Sequence, residues 1–171
     1  MAASSHIKRW ITALVAVPLL FALIYFGSPF VFSAMIVAVI LLGVHEYNGL
    51  VFGEGYVWEK TEGLIVALLI ALSFYSGNPE LIIAVLAFSV LSIFITFTVR
   101  INKPVFDILP VAKSVLCMMY IPAMLSHFIL IRNLYDGKLW IFFILCLAFS
   151  GDVAAYYVGR TWGKRKLLPL V

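Results

Sequence analysis

Between Arg9 and Glu46 the chain carries no charged side chain. Further uncharged runs lie between Glu62 and Glu80, between Glu80 and Arg100, and between Lys138 and Asp152. Inside a bilayer a backbone must satisfy its own polar groups, which only helices and closed barrels do. Each helical span takes about 20 apolar residues. Runs of this length and character therefore predict an all-α, polytopic integral membrane protein. Composition agrees: 64% of residues are hydrophobic and 12% are charged, where a soluble domain carries about a quarter charged. With 171 residues, little is left for a sizeable soluble domain.

The net charge of +4 reads as topology signal rather than as nucleic-acid binding, and no nucleic-acid partner is expected. Cys117 and Cys146 lie in apolar segments without metal-ligand spacing, as small buried hydrophobes. Lys8 and Arg9 before an apolar run imitate a signal peptide. With no clear small-residue cleavage site, and with more spans behind it, this is a retained first helix.

Six transmembrane helices are predicted, over about 10–26, 30–50, 62–75, 80–99, 108–131 and 139–158. They form a single bundle over 1–171, and 159–171 is a basic cytoplasmic tail. Trp10 anchors at the headgroup level, and Pro18 kinks the first span. Gly27-Ser28-Pro29 and Ser76-Gly77-Asn78-Pro79 are tight turns, the second placing Pro at the start of a helix. Val51 to Thr61 reads as an interfacial loop. With the N-terminus in the cytoplasm, ten of the twelve Lys and Arg residues fall on the cytoplasmic side and only Arg132 and Lys138 outside. The positive-inside rule then puts both termini in the cytoplasm.

Asp152 is the sharpest chemical signal. A carboxylate in an apolar span costs about 3 kcal/mol on insertion scales and is usually paired or functional. Tyr156 at i+4 and Gly159 at i+7 share its helix face, and Gly159 leaves a gap for a close approach. Pairing of Asp152 with Lys113 or Arg100, to hold the bundle together, is the plainer alternative. Arg160, Lys164, Arg165 and Lys166 form a basic cluster around Gly163. It suits either anionic headgroups or a phosphate-bearing ligand. Glu46, beside His45 and Tyr47, is either a polar partner in a site or an interfacial acid. Tyr120 and His127 lie on one face of the fifth span, where a lone histidine more often packs than ligates. No Ser-His-Asp order, zinc spacing or phosphate-binding Gly-rich loop is present.

The run Asp152, Ala155, Tyr156, Gly159, Arg160, Gly163, Lys164, Lys166, Leu167 resembles the cytoplasmic approach of bacterial phosphatidate cytidylyltransferases (CDP-diacylglycerol synthases). Lys8-Arg9 with Ile11 to Leu14, Glu46-Tyr47 with Leu50, Met119-Tyr120-Ile121 and Leu130-Ile131-Arg132 resemble further parts of that family in order. The resemblance implies an inner-membrane enzyme of phospholipid biosynthesis that joins CTP and phosphatidate into CDP-diacylglycerol and pyrophosphate. It implies Asp152 and Tyr156 as catalytic, with Gly159, Arg160, Gly163, Lys164, Lys166, Glu46, Tyr120 and Arg132 binding substrate. It also implies a Mg²⁺ cofactor whose ligands are expected beyond Val171, since the family's C-terminal signature is not found in this chain. The chain thus reads as the N-terminal two-thirds of such an enzyme. Implied partners are CTP, phosphatidate and membrane lipids, with a homodimer left open. Two alternatives stand: a non-catalytic scaffold or lipid-docking fragment, and a CTP-dependent polyprenol kinase.

Overall fold

A computed structural model describes residues 2–53, 56–99 and 108–163, with side chains from Leu14 onward. The side chains of Lys8, Arg9 and Trp10, and the residues Arg100, Lys103, Lys164, Arg165 and Lys166, lie outside it.

Every element among the described residues is helical. We name α1 (Ala2–Phe26), α2 (Pro29–Val51), α3 (Val57–Ser76), α4 (Pro79–Val99), α5 (Leu109–Arg132) and α6 (Gly137–Trp162). Four of them, α2, α4, α5 and α6, are long and apolar enough to cross a membrane. In α1 the described apolar part is Leu14–Phe26, and α3 carries Glu59, Lys60 and Glu62 in its first two turns.

Local chemistry explains the turns. Ser28 caps α2, its Oγ accepting from the Val31 N–H at 3.3 Å, with Pro29 in the first turn, where its missing N–H costs nothing. Gly77 ends α3 at φ +67, the one positive φ among the described residues, a conformation that a Cβ disfavours. Asn78 Oδ1 then accepts from the Glu80 and Leu81 amides at 2.9 and 3.4 Å and starts α4. Pro122 lies inside α5 and lacks an N–H, and the helix widens there into a π turn over Met119–Ala123 rather than breaking.

The structure redraws three boundaries. The 51–61 loop shrinks, because α2 runs through Val51 and α3 begins at Val57. For the same reason the third helix starts before residue 62. At the other end, α6 continues to Trp162, so Gly159 and Arg160 are helical rather than part of a tail. The helix-lowering cost of one glycine, about 1 kcal/mol, does not interrupt a ladder that long.

α2 lies at the centre. Phe32, Ile36, Ile40, Val44 and Asn48 are buried at four-residue spacing, a single stripe down the helix. α3 packs on it through Gly63, Ala67 and Ala71. A Cβ at Gly63 would come within 3.4 Å of Asn48 Nδ2 and 3.9 Å of Val44 Cγ1. Small residues allow this close backbone approach. The neighbouring positions Val66, Ile70 and Phe74 face a second core with Ile93 of α4 and Val111 and Met118 of α5. α6 joins through its first half, with Gly137 and Ile141 buried and Phe142 and Leu145 partly buried against the same core, while every residue from Cys146 to Gly163 is exposed.

The helices alternate in direction, which gives the bundle two ends. The turn end holds Gly27, Gly77 and the 133–136 turn. There Arg132 donates to Gly27 O at 2.7 Å and Lys138 to Tyr25 O at 2.7 Å. The loop end holds the α2–α3 connection. There Lys113 donates to Val51 O and Tyr47 to Lys113 O, both at 3.1 Å.

Candidate functional site

The C-terminal half of α6 presents Asp152, Tyr156 and Arg160 at successive i+4 positions, one stripe about 12 Å long by helical rise. All three are exposed. Arg160 Nη1 donates to the Tyr156 phenol oxygen at 3.3 Å. This steadies the guanidinium and leaves its other donors without a partner among the described residues. Among the described residues Asp152 makes no hydrogen bond or ion pair, so its carboxylate is not paired with Lys113, which donates to Val51 O, while Arg100 lies outside the described residues. A Cβ at Gly159 would meet nothing within 4 Å, so no contact within the described fold demands glycine there. Gly163 closes the helix, its N–H donating to Gly159 O at 3.1 Å. Lys164 and Lys166 lie outside the described residues. The chemistry on offer is a carboxylate that accepts a cation or proton, a phenol, and a guanidinium suited to phosphate.

The other sequence-predicted residues are spread out. Glu46 is exposed near the end of α2, at a depth similar to that of Asp152 by helical rise. Tyr120 is 70% exposed on the π turn of α5, midway along the bundle. Arg132 lies at the turn end, only 8% exposed, with its guanidinium 5.7 Å from the Phe32 ring centre. Glu46 stands about 25 Å along α2 from that end. The fold therefore brings Asp152, Tyr156, Gly159, Arg160 and Gly163 together, and does not bring Arg132 to them.

A polar group that sequence reasoning did not single out sits at the loop end. Glu62 of α3 accepts hydrogen bonds from Ser92 and Thr96 of α4, the latter at 3.0 Å. Asn48, 4% exposed, donates to Lys60 O at 3.2 Å. Asn48, Glu59, Glu62, Ser114 and Cys117 border a narrow cavity of about 10 Å³. The legible signal was the i, i+4 pair Ser92 and Thr96 in a largely apolar helix, opposite an acid at the head of the preceding one. No three His, Cys, Asp or Glu side chains among the described residues converge as a metal site.

Comparison with known proteins locates the chain. The model of the cytidylyltransferase family matches residues 7–171. A phosphatidate cytidylyltransferase of Bacillus subtilis (strain 168) is 36% identical over 98 residues, which is 57% of this chain and 36% of that protein. The alignment thus spans about a third of that relative's length. No solved structure matches the chain.

Proposed function

The chain belongs to the cytidylyltransferase family, and from that premise we propose that it serves the transfer of a cytidylyl group from CTP to phosphatidate. A phosphatidate phosphate oxygen attacks the α-phosphorus of CTP. The new P–O bond gives CDP-diacylglycerol, and the bond to the β-phosphate breaks to release pyrophosphate. The observation that carries this reading is the Asp152–Tyr156–Arg160 stripe, which no other described helix engages and which lies within the family match.

Arg160 in this reading offsets phosphate charge on the incoming anions, with Lys164 and Lys166 adding to it. Gly159 and Gly163 leave room for close approach, and Asp152 and Tyr156 shape the polar floor. Glu46 contributes from α2 at similar depth. Tyr120, midway along the bundle, is a more distant substrate contact, and Arg132, buried at the turn end, takes no part in this step. Bound Mg²⁺ would offset charge on the triphosphate and the leaving group. Asp152 would offer it a carboxylate, no three His, Cys, Asp or Glu side chains among the described residues converge as a metal site, and no step here runs through the metal. The chain forms one bundle of six spans in the bacterial inner membrane, both termini cytoplasmic. This places the stripe at the membrane–cytosol boundary, where a lipid phosphate meets a soluble nucleotide.

The test is pyrophosphate release from CTP by the purified chain with phosphatidate and Mg²⁺. Label from the α-phosphate should pass to lipid. Label passing from the γ-phosphate instead would assign a polyprenol-kinase type of reaction. A second reading is favoured by the fully exposed C-terminal half of α6: the chain binds phosphatidate as a docking module without turning over nucleotide. Phosphatidate binding with no pyrophosphate release would select it.

A further inference from the structure

α1 and α6 meet along a short line near the Phe21 and Phe142 rings, whose centroids are 4.9 Å apart. Beside that contact runs an open trough of about 570 Å³, walled by Pro18, Phe21, Ala22, Phe142 and Cys146. The trough is almost wholly apolar. At the turn end it leads into a second cavity of about 360 Å³, and the two share Tyr25 and Phe142 as walls.

The second cavity is chemically different. Arg132, Tyr135, Asp136 and Lys138 line it. Lys138 spends one donor on Tyr25 O, leaving two of its three N–H groups. The Nη2 of Arg132 is engaged by Gly27 O, while its Nε is buried with no hydrogen-bond partner. Gly137, Lys138 and Leu139, the first residues of α6, also border the cavity, so the positive end of that helix dipole lies there. Asp136 offsets one of the two cations, and the balance stays positive.

An apolar trough that runs into a cationic cavity at a helix N-terminus matches one molecule in charge and shape, a phospholipid with an anionic headgroup. We propose that the α1–α6 crevice is a binding site for an anionic phospholipid. The acyl chain lies between Phe21 and Phe142, and the phosphate lies against Lys138 and the start of α6. The site is about 22 Å along α6 from Asp152, and it stands independently of the reaction proposed there.

The purified chain in neutral-detergent micelles is titrated with dioleoylphosphatidylglycerol or dioleoylphosphatidylcholine, and bound lipid is counted by native mass spectrometry. Phosphatidylglycerol should bind several-fold more tightly. Lys138→Gln should weaken it about fivefold and leave phosphatidylcholine unchanged. Because Lys138 also caps α1, a second variant, Ala22→Trp, fills the trough without touching that cap and should weaken both lipids. Equal affinity for the two lipids in the unaltered chain overturns the proposal, as does full retention by Ala22→Trp. Glycerol phosphate competing as well as the lipid would also overturn it, since the trough would then contribute nothing.

Discussion

The guanidinium of Arg132 donates to the carbonyl oxygen of Gly27 at 2.7 Å across 105 positions of sequence. The bond joins the last turn of α5 to the end of α1, where helix carbonyls lack partners of their own and favour a cation. Phe32 supplies a ring face to the same group. Arg132→Ala should cost about 2 kcal/mol, read by unfolding in detergent, with Arg132→Lys recovering part of it. Unchanged unfolding together with lost turnover would instead make Arg132 a substrate ligand.

Glu62 is held by two hydroxyls of α4, so Ser92→Ala with Thr96→Val strips a half-buried carboxylate of both donors. The pair of changes should destabilise the chain by roughly 1–3 kcal/mol. In a Glu62→Leu background the same pair should cost much less, because the group needing donors is gone. A double-mutant cycle measures the difference. Additive effects would show that the contact adds nothing to the α3–α4 pairing.

Gly137 begins α6 against the end of α5. A Cβ there would lie 2.2 Å from Ile131 O and 2.6 Å from Arg132 O, both backbone atoms that cannot swing aside. Gly137→Ala should lower stability by on the order of 1–3 kcal/mol and loosen the Arg132 contact next to it. Gly151→Ala, with nothing within 4 Å of the added atom, is the control and should be near neutral. Thermal unfolding of the two variants side by side checks both.

Asp152 makes no contact that supports the described fold, so its removal separates chemistry from stability. Asp152→Asn should leave unfolding unchanged within about 0.5 kcal/mol. It should lower phosphatidate-dependent pyrophosphate release by about 100-fold or more. Full turnover in Asp152→Asn would remove that residue from the proposed site.

Much of the helix layout was legible because its signals are local. Ser28-Pro29 and Gly77-Asn78-Pro79 mark turns by their own backbone chemistry, wherever the neighbouring helices lie. The 51–61 stretch misled because Gly53, Trp58 and Glu59 look like interfacial loop. Glu59 and Lys60 instead belong to the opening turns of α3, where Asn48 reaches across to Lys60 O. The candidate stripe was equally local: Asp152, Tyr156 and Gly159 share a face through helical spacing alone.

What the sequence determined by itself is the all-helical character, the punctuation of the helices and the placing of an acid and a phenol on one face of α6, which the structure extends to the Arg160 guanidinium. These follow from apolar runs, caps and the 3.6-residue period, which need no neighbour. Only the tertiary structure decided that Arg132 closes on Gly27, that Glu62 meets Ser92 and Thr96, and that the Asp152 stripe is uncovered by any described helix. A helix such as α4, apolar over most of its surface, carries only a faint periodic mark, Ser89, Ser92 and Thr96, of which face it buries. Facing is set instead by where small residues such as Gly63, Ala67 and Ala71 allow backbones to close, and that depends on the partner as much as on the helix itself.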